Sequence, residues 1–84
     1  MMVHHRLYGS SATAREIGIS LRQLYYWVNV LRVVAPQAHP HGRRMFRRFT
    51  AGEVRQLQRM KGLIGRGYTV RAAAGRARNR RDLT

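Results

Sequence analysis

The chain has 84 residues and a formal net charge of +14, because 17 lysine and arginine residues face 3 acidic ones. This length allows one domain with a thin core, and the absence of cysteine excludes disulfides, thiolate metal sites and cysteine-based catalysis. No apolar run approaches the roughly 18 residues of a membrane span and no signal peptide is visible, so the sequence predicts a soluble, cytoplasmic protein.

The charge excess indicates a polyanionic partner. All but one of the basic residues are arginine, the exception being Lys61. A guanidinium group presents a planar fork of donors that suits phosphate oxygens and guanine edges. On charge alone the partner can be DNA, RNA or the ribosome, or an anionic membrane surface, and a merely solvated basic face is the remaining alternative.

Two helices are predicted after an N-terminal arm of residues 1–10. The first spans residues 11–17 and ends at Gly18, which can adopt the left-handed conformation that closes a helix. The second spans residues 21–31 and begins with a capping box in which Ser20 is followed three residues later by Gln23. Residues 18–20 fit the tight turn of a helix-turn-helix, with Ile19 as its apolar plug, but they also fit the corner of an unrelated helical hairpin.

The second helix is amphipathic. Its predicted core-facing stripe consists of Leu21, Leu24, Val28 and Leu31. A polar stripe on another face consists of Arg22, Tyr26 and Asn29.

A β-hairpin is predicted within residues 36–49, which are rich in proline, histidine, glycine and arginine. Its turn is expected at residues 40–42, and either Met45 or Phe46, together with Phe49, is expected to face inward. A disordered arginine-rich loop is the alternative. The candidate cations of this hairpin are Arg43, Arg44, Arg47 and Arg48.

Two further helices follow. The first opens with the capping box formed by Thr50 and Glu53 and reaches about Ile64, before Gly65 and Gly67. Its predicted inner stripe consists of Val54, Leu57, Met60 and Ile64. A short final helix is capped by Thr69, and its stripe consists of Val70, Ala73, Ala74 and Ala77. We expect residues 76–84 to form a frayed, disordered basic tail, which leaves residues 11–75 as the folded domain.

Three runs in this order resemble the DNA-binding domain of MerR-family transcription regulators. Residues 14–27, AREIGISLRQLYYW, are similar to the family's opening helix, Gly-hydrophobe-Ser turn and recognition helix. Residues 47–50, RRFT, with Glu53, Val54 and Leu57, resemble its passage from wing to helix. Residues 61–70, KGLIGRGYTV, resemble its step into the last short helix, so the likeness covers roughly residues 8–75.

The resemblance implies a mostly α winged helix-turn-helix domain of about four helices plus a β-hairpin wing. The second helix would enter the major groove and the wing would lie on the sugar-phosphate backbone. Arg22, in the first turn of that helix, is placed to bond guanine. Gln23 is divided between capping Ser20 and reading adenine, and the cap is the favoured role.

The family's pattern also implies roles for two further residues. The aromatic residue matching Tyr26 donates its hydroxyl to a phosphate, with partial core packing as the alternative for this chain, and the arginine matching Arg47 contacts the backbone. Strand alternation prevents all four wing arginines from facing DNA, and we favour Arg47 and Arg44, with Arg43 at the tip. Phe49, Trp27 and Leu24 are predicted to be core residues.

The chain departs from the family's pattern in several places. Tyr25 stands where the family usually has arginine, and Val28 where it usually has an acidic residue. The segment 36–47 is longer than usual, so the wing is expected to reach further along the groove. The chain ends where the family's dimerisation helix and effector domain usually begin, so we expect no small-molecule effector to bind here.

No catalytic or metal-binding set is visible. His4, His5, His39 and His41 form two histidine groups, but no cysteine and few carboxylates are present to complete a tetrahedral site. Paired carboxylates, a nucleophile with a base, and a phosphate-binding glycine loop are also missing. We therefore predict that the chain is not an enzyme and needs no metal or cofactor.

The favoured function is sequence-specific binding to double-stranded DNA in transcriptional control, with a second copy of the chain bound nearby because one domain contacts only a short half-site. One alternative is an architectural DNA binder of the excisionase or packaging type found in phages and mobile elements. Another is a basic protein associated with RNA or the ribosome.

Overall fold

A computed structural model describes residues 7–41 and 44–78 of the chain. The described residues form four helices and a three-stranded antiparallel sheet with the strand order β1-β3-β2. In chain order, the elements are β1 (Leu7–Tyr8), α1 (Ser10–Ile17), α2 (Leu21–Tyr25) with a π-helical continuation (Tyr26–Val30), β2 (Gln37–His41), β3 (Arg44–Thr50), α3 (Ala51–Gly65) and α4 (Val70–Arg78). The predicted class, a mostly helical winged helix-turn-helix with four helices and a β-hairpin, is confirmed.

The turn between α1 and α2 forms as the sequence predicts. Gly18 has φ 83°, in the left-handed region, and the N–H groups of Gly18 and Ile19 both donate to the carbonyl of Ala14, at 2.8 and 3.0 Å. Ser20 Oγ accepts from the N–H of Gln23 at 3.1 Å, and Gln23 Oε1 accepts from the N–H of Ser20 at 3.2 Å. Both ends of the turn are therefore fixed by local hydrogen bonds.

The sequence predicts one helix from Leu21 to Leu31. In the structure its last turn is not α-helical but widens into the π-helical continuation. The N–H of Leu31 bonds the carbonyl of Tyr26, five residues back, at 3.1 Å. Arg32 then adopts φ 52°, a conformation that non-glycine residues rarely take. The change of chain direction at Arg32 is followed by two buried residues, Val33 and Val34. The sequence patterns do not single out either of them.

The sheet contains a strand that the sequence did not predict. Leu7 and Tyr8 lie within the predicted N-terminal arm but pair with Thr50 and Phe49 of β3. Pro40 and His41, which were expected in the hairpin turn, belong instead to β2. β2 is an edge strand, where a missing backbone N–H is tolerated.

One apolar core joins the elements, and Leu24, Trp27 and Phe49 are buried in it as predicted. Two predicted core residues lie instead at the surface, Leu21 and Val70, each 38% exposed. Both stand at the first position of their helices, and helical side chains lean toward the N-terminus, where no preceding turn of the same helix lies beside them.

α4 continues three residues into the predicted basic tail, through Arg78. Ala77 is fully buried, and its carbonyl accepts a hydrogen bond from Nε2 of the buried Gln56 at 3.2 Å. This bond fastens the end of α4 to α3. No helix within the described residues is both long and apolar enough to cross a membrane.

Candidate nucleic-acid interface

The buried residues of α2 and its π-helical continuation determine which face of this helix meets solvent. Leu24, Trp27 and Val28 are all less than 10% exposed and together face the core. The opposite face carries the predicted polar stripe, whose residues are all exposed: Arg22, Tyr26 and Asn29. This exposed stripe, with its neighbours on the same helix, is called the recognition face below.

Arg22 lies in the first turn of α2 and is exposed. Within the described part of the chain, its guanidinium has no hydrogen-bond or ion-pair partner, so all of its donors remain available. Gln23 differs, because its Oε1 already accepts from the N–H of Ser20 in the capping box. The predicted capping box is therefore present, and the side-chain amide N–H groups of Gln23 are left for a base edge.

Tyr26 and Trp27 are adjacent but have opposite environments. Trp27 is 4% exposed and belongs to the core, whereas Tyr26 is 45% exposed and belongs to the recognition face. Tyr26 is not among the partly buried residues that pack against the core cluster. Its hydroxyl is accessible to an external acceptor, as a phosphate contact requires.

The recognition face has an apolar edge. Leu21 and Tyr25 are one helical turn apart, and Tyr25 is 44% exposed. Tyr25, which stands where the resemblance leads one to expect arginine, thus points an aromatic ring to solvent beside Arg22. Such an edge offers van der Waals contact rather than a charge to a partner.

A residue that sequence reasoning did not select holds the recognition helix in place. Lys61 of α3 reaches back to the end of α1, where its Nζ donates to the carbonyls of Ile17 at 2.9 Å and of Gly18 at 3.0 Å. These carbonyls are among those left without partners at the end of a helix. The lysine therefore joins the turn before α2 to a helix 43 positions away, and no local pattern signals this contact.

The wing arginines fall into different surroundings. Arg47 and Arg48 are both half-buried in β3, and as consecutive strand residues they point to opposite faces of the sheet. Arg47 shares its face with the buried Phe49. Arg48 is engaged within the fold, and its Nη1 lies 3.2 Å from where a Cβ on Gly9 would be.

The remaining predicted wing residues are less fully described. Arg44 lies in β3, in register with His41, at the end of the hairpin. Arg43 lies outside the described residues. The described contact residues thus divide between two elements: Arg22, Gln23 and Tyr26 lie on the recognition helix, and Arg44, Arg47 and Arg48 lie in β3.

Carboxylates do not neutralise this surface. Of the acidic residues in the described part of the chain, Glu53 caps α3, with its Oε1 accepting from the N–H of Thr50 at 2.9 Å, and Glu16 is exposed on α1. The same residues contain no group of three potential metal ligands.

Comparison with known protein families agrees with this arrangement. The family model described as MerR HTH family regulatory protein matches residues 8–79, which span β1 to the end of α4. No curated protein and no solved structure matches the chain. The family match covers most of the chain, including both capping boxes, the turn and the wing, and the chain therefore belongs to the MerR helix-turn-helix family of DNA-binding transcription regulators.

Proposed function

We propose that this chain binds specific sequences of double-stranded DNA, with the recognition face of α2 in the major groove and the β2–β3 wing on the sugar-phosphate backbone. The observation that carries this proposal is Arg22. Its guanidinium is exposed and unpaired within the described residues, and the helix that presents it is fixed by the capping box and by Lys61. A preorganised cation at the start of a recognition helix suits the two acceptors of a guanine edge.

The proposed contacts differ in kind. Arg22 reads a base, while Tyr26 and Arg47 bind phosphates and set the register of the protein on the duplex. Arg43 and Arg44 extend the wing along the backbone. Arg48 contributes less than Arg47, because part of its guanidinium is held against Gly9.

A single domain of this size reads a short half-site, so useful specificity requires two copies on one DNA molecule. The copies are arranged either symmetrically or as direct repeats. The selected DNA sequence distinguishes these arrangements, because a palindrome indicates two-fold symmetry and a repeat indicates tandem binding.

Selection from a random duplex DNA pool at physiological salt, with structured RNA as competitor, tests the proposal. We expect an enriched DNA motif. If the protein instead recovers no motif, or is captured by the RNA, it is a general polyanion binder and the proposal is wrong.

Two variants then test the assignment of roles. Arg22→Ala removes a base contact, so we expect it to lose about 1–3 kcal/mol of preference at one position of the motif. Arg47→Ala removes a phosphate contact, so it should weaken all duplexes alike and lower the slope of log K against log salt by about 1. Equal losses of base preference in both variants would contradict the assignment.

A further inference from the structure

The exposed apolar side chains of this domain are concentrated on one helix. In the described part of the chain, seven large hydrophobic side chains are exposed, and four of them lie on α2 and its π-helical continuation: Leu21, Tyr25, Tyr26 and Val30. Tyr26 already has a phosphate as the proposed partner of its hydroxyl. Leu21 and Tyr25, which form the apolar edge of the recognition face, have no role in the contacts described so far.

This apolar edge is a surface feature rather than a part of the core. Leu21 is 38% exposed and Tyr25 is 44% exposed, and neither is among the partly buried residues that pack against the core cluster. The two residues are four positions apart, so their side chains are neighbours on the helix surface. Covering this leucine and this aromatic ring with another apolar group removes both from water and is favourable.

The position of the edge beside Arg22 indicates what covers it. Arg22 follows Leu21 directly and precedes Tyr25 by three positions, so the three side chains lie together at the start of α2. Helical side chains lean toward the N-terminus, which is the end that a helix-turn-helix presents to base edges. Val30 is remote from this end, because it lies eight positions beyond Arg22, about 12 Å along the helix axis.

DNA offers one apolar group at this place. The base edges in the major groove are polar except for the C5-methyl group of thymine. Successive base pairs are about 3.4 Å apart, so side chains next to the one that binds guanine reach the neighbouring base pair. 5-Methylcytosine carries a methyl group at the same ring position and presents the same apolar surface.

We propose that Leu21 and Tyr25 read the C5-methyl group of a pyrimidine in a base pair adjacent to the guanine that Arg22 binds. This inference rests on the proposed function and adds a second element of specificity to it. Hydrogen bonding selects the guanine, and apolar contact selects a methylated pyrimidine beside it. That pyrimidine is thymine in ordinary DNA, and 5-methylcytosine takes its place in modified DNA.

The test adds and removes single methyl groups in the selected duplex. The guanine is located first, as the position at which Arg22→Ala loses base preference. Every base pair contains one pyrimidine, so both neighbouring pairs can be prepared with and without the methyl group. Thymine is compared with deoxyuridine in an A·T pair, and 5-methylcytosine is compared with cytosine in a G·C pair.

Three variants are titrated with these duplexes beside the unmodified protein. The double variant Leu21→Ala/Tyr25→Ala removes the apolar edge, and Tyr25→Phe keeps the ring without its hydroxyl. The matched control is Val30→Ala, which removes an equally exposed class of side chain from the same helix, far from Arg22. Unfolding followed by circular dichroism shows that each variant is folded.

We expect the loss of one thymine methyl group to weaken binding of the unmodified protein about fourfold, which corresponds to one buried methylene group. Val30→Ala and Tyr25→Phe should keep this discrimination, while the double variant should bind both duplexes equally. The same factor between 5-methylcytosine and cytosine would show that the methyl group is read on either base. A factor seen with thymine alone would restrict the contact to thymine.

Two results would overturn the proposal in distinguishable ways. If the unmodified protein selects a DNA motif but binds every methylated and unmethylated pair equally, or if the double variant discriminates like Val30→Ala, the apolar edge reads no base. A protein surface then becomes its occupant. If the unmodified protein selects no DNA motif, the proposed function fails and the methyl-reading proposal fails with it.

Discussion

The two helix–helix turns of this domain are built alike but stabilised differently. Residues 18–20 join α1 to α2, and residues 66–69 join α3 to α4. Each contains a glycine with positive φ, 83° at Gly18 and 104° at Gly67. The first turn also receives two hydrogen bonds from Lys61, whereas the second is closed by backbone hydrogen bonds from residues 66–68 to carbonyls of α3.

The difference follows from what each turn positions. The first sets the direction of the recognition helix, and its anchor comes from the far end of α3. The second sets only the direction of α4, which is already fastened by Gln56 and by its buried alanines. The turn before α2 is thus held by a side chain from α3, whereas the turn before α4 is held by backbone hydrogen bonds of its own residues.

The two glycines differ correspondingly in the space around them. A Cβ built on Gly18 would lie 2.6 Å from Nζ of Lys61, whereas a Cβ on Gly67 would meet no atom within 4 Å. Gly18 is therefore needed both for its backbone conformation and for the approach of the lysine. Gly67 is needed for its conformation alone.

Gly18→Ala should produce the largest loss of stability. The left-handed conformation costs alanine about 1 kcal/mol, and the methyl group also pushes the lysine from its two carbonyls, which adds about 1 kcal/mol. We expect the free energy of unfolding, measured in urea, to fall by about 2 kcal/mol. The selected duplex should also bind more weakly, because α2 loses its fixed start.

The Lys61→Met background provides the matched control for this variant. Without the ammonium group, the new methyl group has nothing to displace, so Gly18→Ala should cost only about 1 kcal/mol there. Equal penalties in the two backgrounds would show that the lysine and the glycine act independently.

Lys61→Met should have the next largest effect. It keeps the aliphatic part of the side chain but leaves the carbonyls of Ile17 and Gly18 without their donor, at about 1.5 kcal/mol after allowance for solvent. Affinity for the selected duplex should fall more than affinity for a random duplex. The control is Arg55→Met, an exposed charge on the same helix, and a loss of the same size in both variants would reduce the role of Lys61 to its charge.

Local patterns predicted most of the fold. Both capping boxes, the left-handed glycine and the inner stripe of α3 are encoded within a few neighbouring residues, and the structure shows them with Gln23 and Glu53 in the expected roles. β1 was missed because two residues carry no period, and its pairing depends on Phe49, some forty positions later. The widened end of the recognition helix was missed for a related reason, since an apolar stripe does not reveal a change of helical pitch.

The candidate site was predictable only where a single helix carries it. The row of Arg22 and Tyr26 follows from helical spacing, so its exposed face could be read from the sequence. The anchor at Lys61 depends on how the helices pack, because its Nζ reaches carbonyls 43 and 44 positions away. Charge composition predicted a basic surface but could not predict which arginines would be free and which would be held, as Arg48 is.

Gly67→Ala should have a smaller effect than either change at the first turn. Only the left-handed conformation is at stake, so we expect a loss of about 1 kcal/mol in the free energy of unfolding. Gly67→Asn should lose less, because asparagine tolerates this conformation better than alanine. Neither variant should alter the DNA motif recovered by selection, and a changed motif would mean that the second turn also positions the recognition face.

The smallest expected effect concerns the side-chain contact that closes the second turn, in which Arg76 lies over the ring of Tyr68. Arg76 is exposed and Tyr68 is 37% exposed, so a double-mutant cycle of Arg76→Ala and Tyr68→Leu should give a coupling of about 0.5 kcal/mol. A coupling as large as that between Gly18 and Lys61 would mean that the second turn is also held by a side chain from outside it. A coupling near zero would leave its backbone hydrogen bonds as its main support, and the contrast between the two turns would then be at its sharpest.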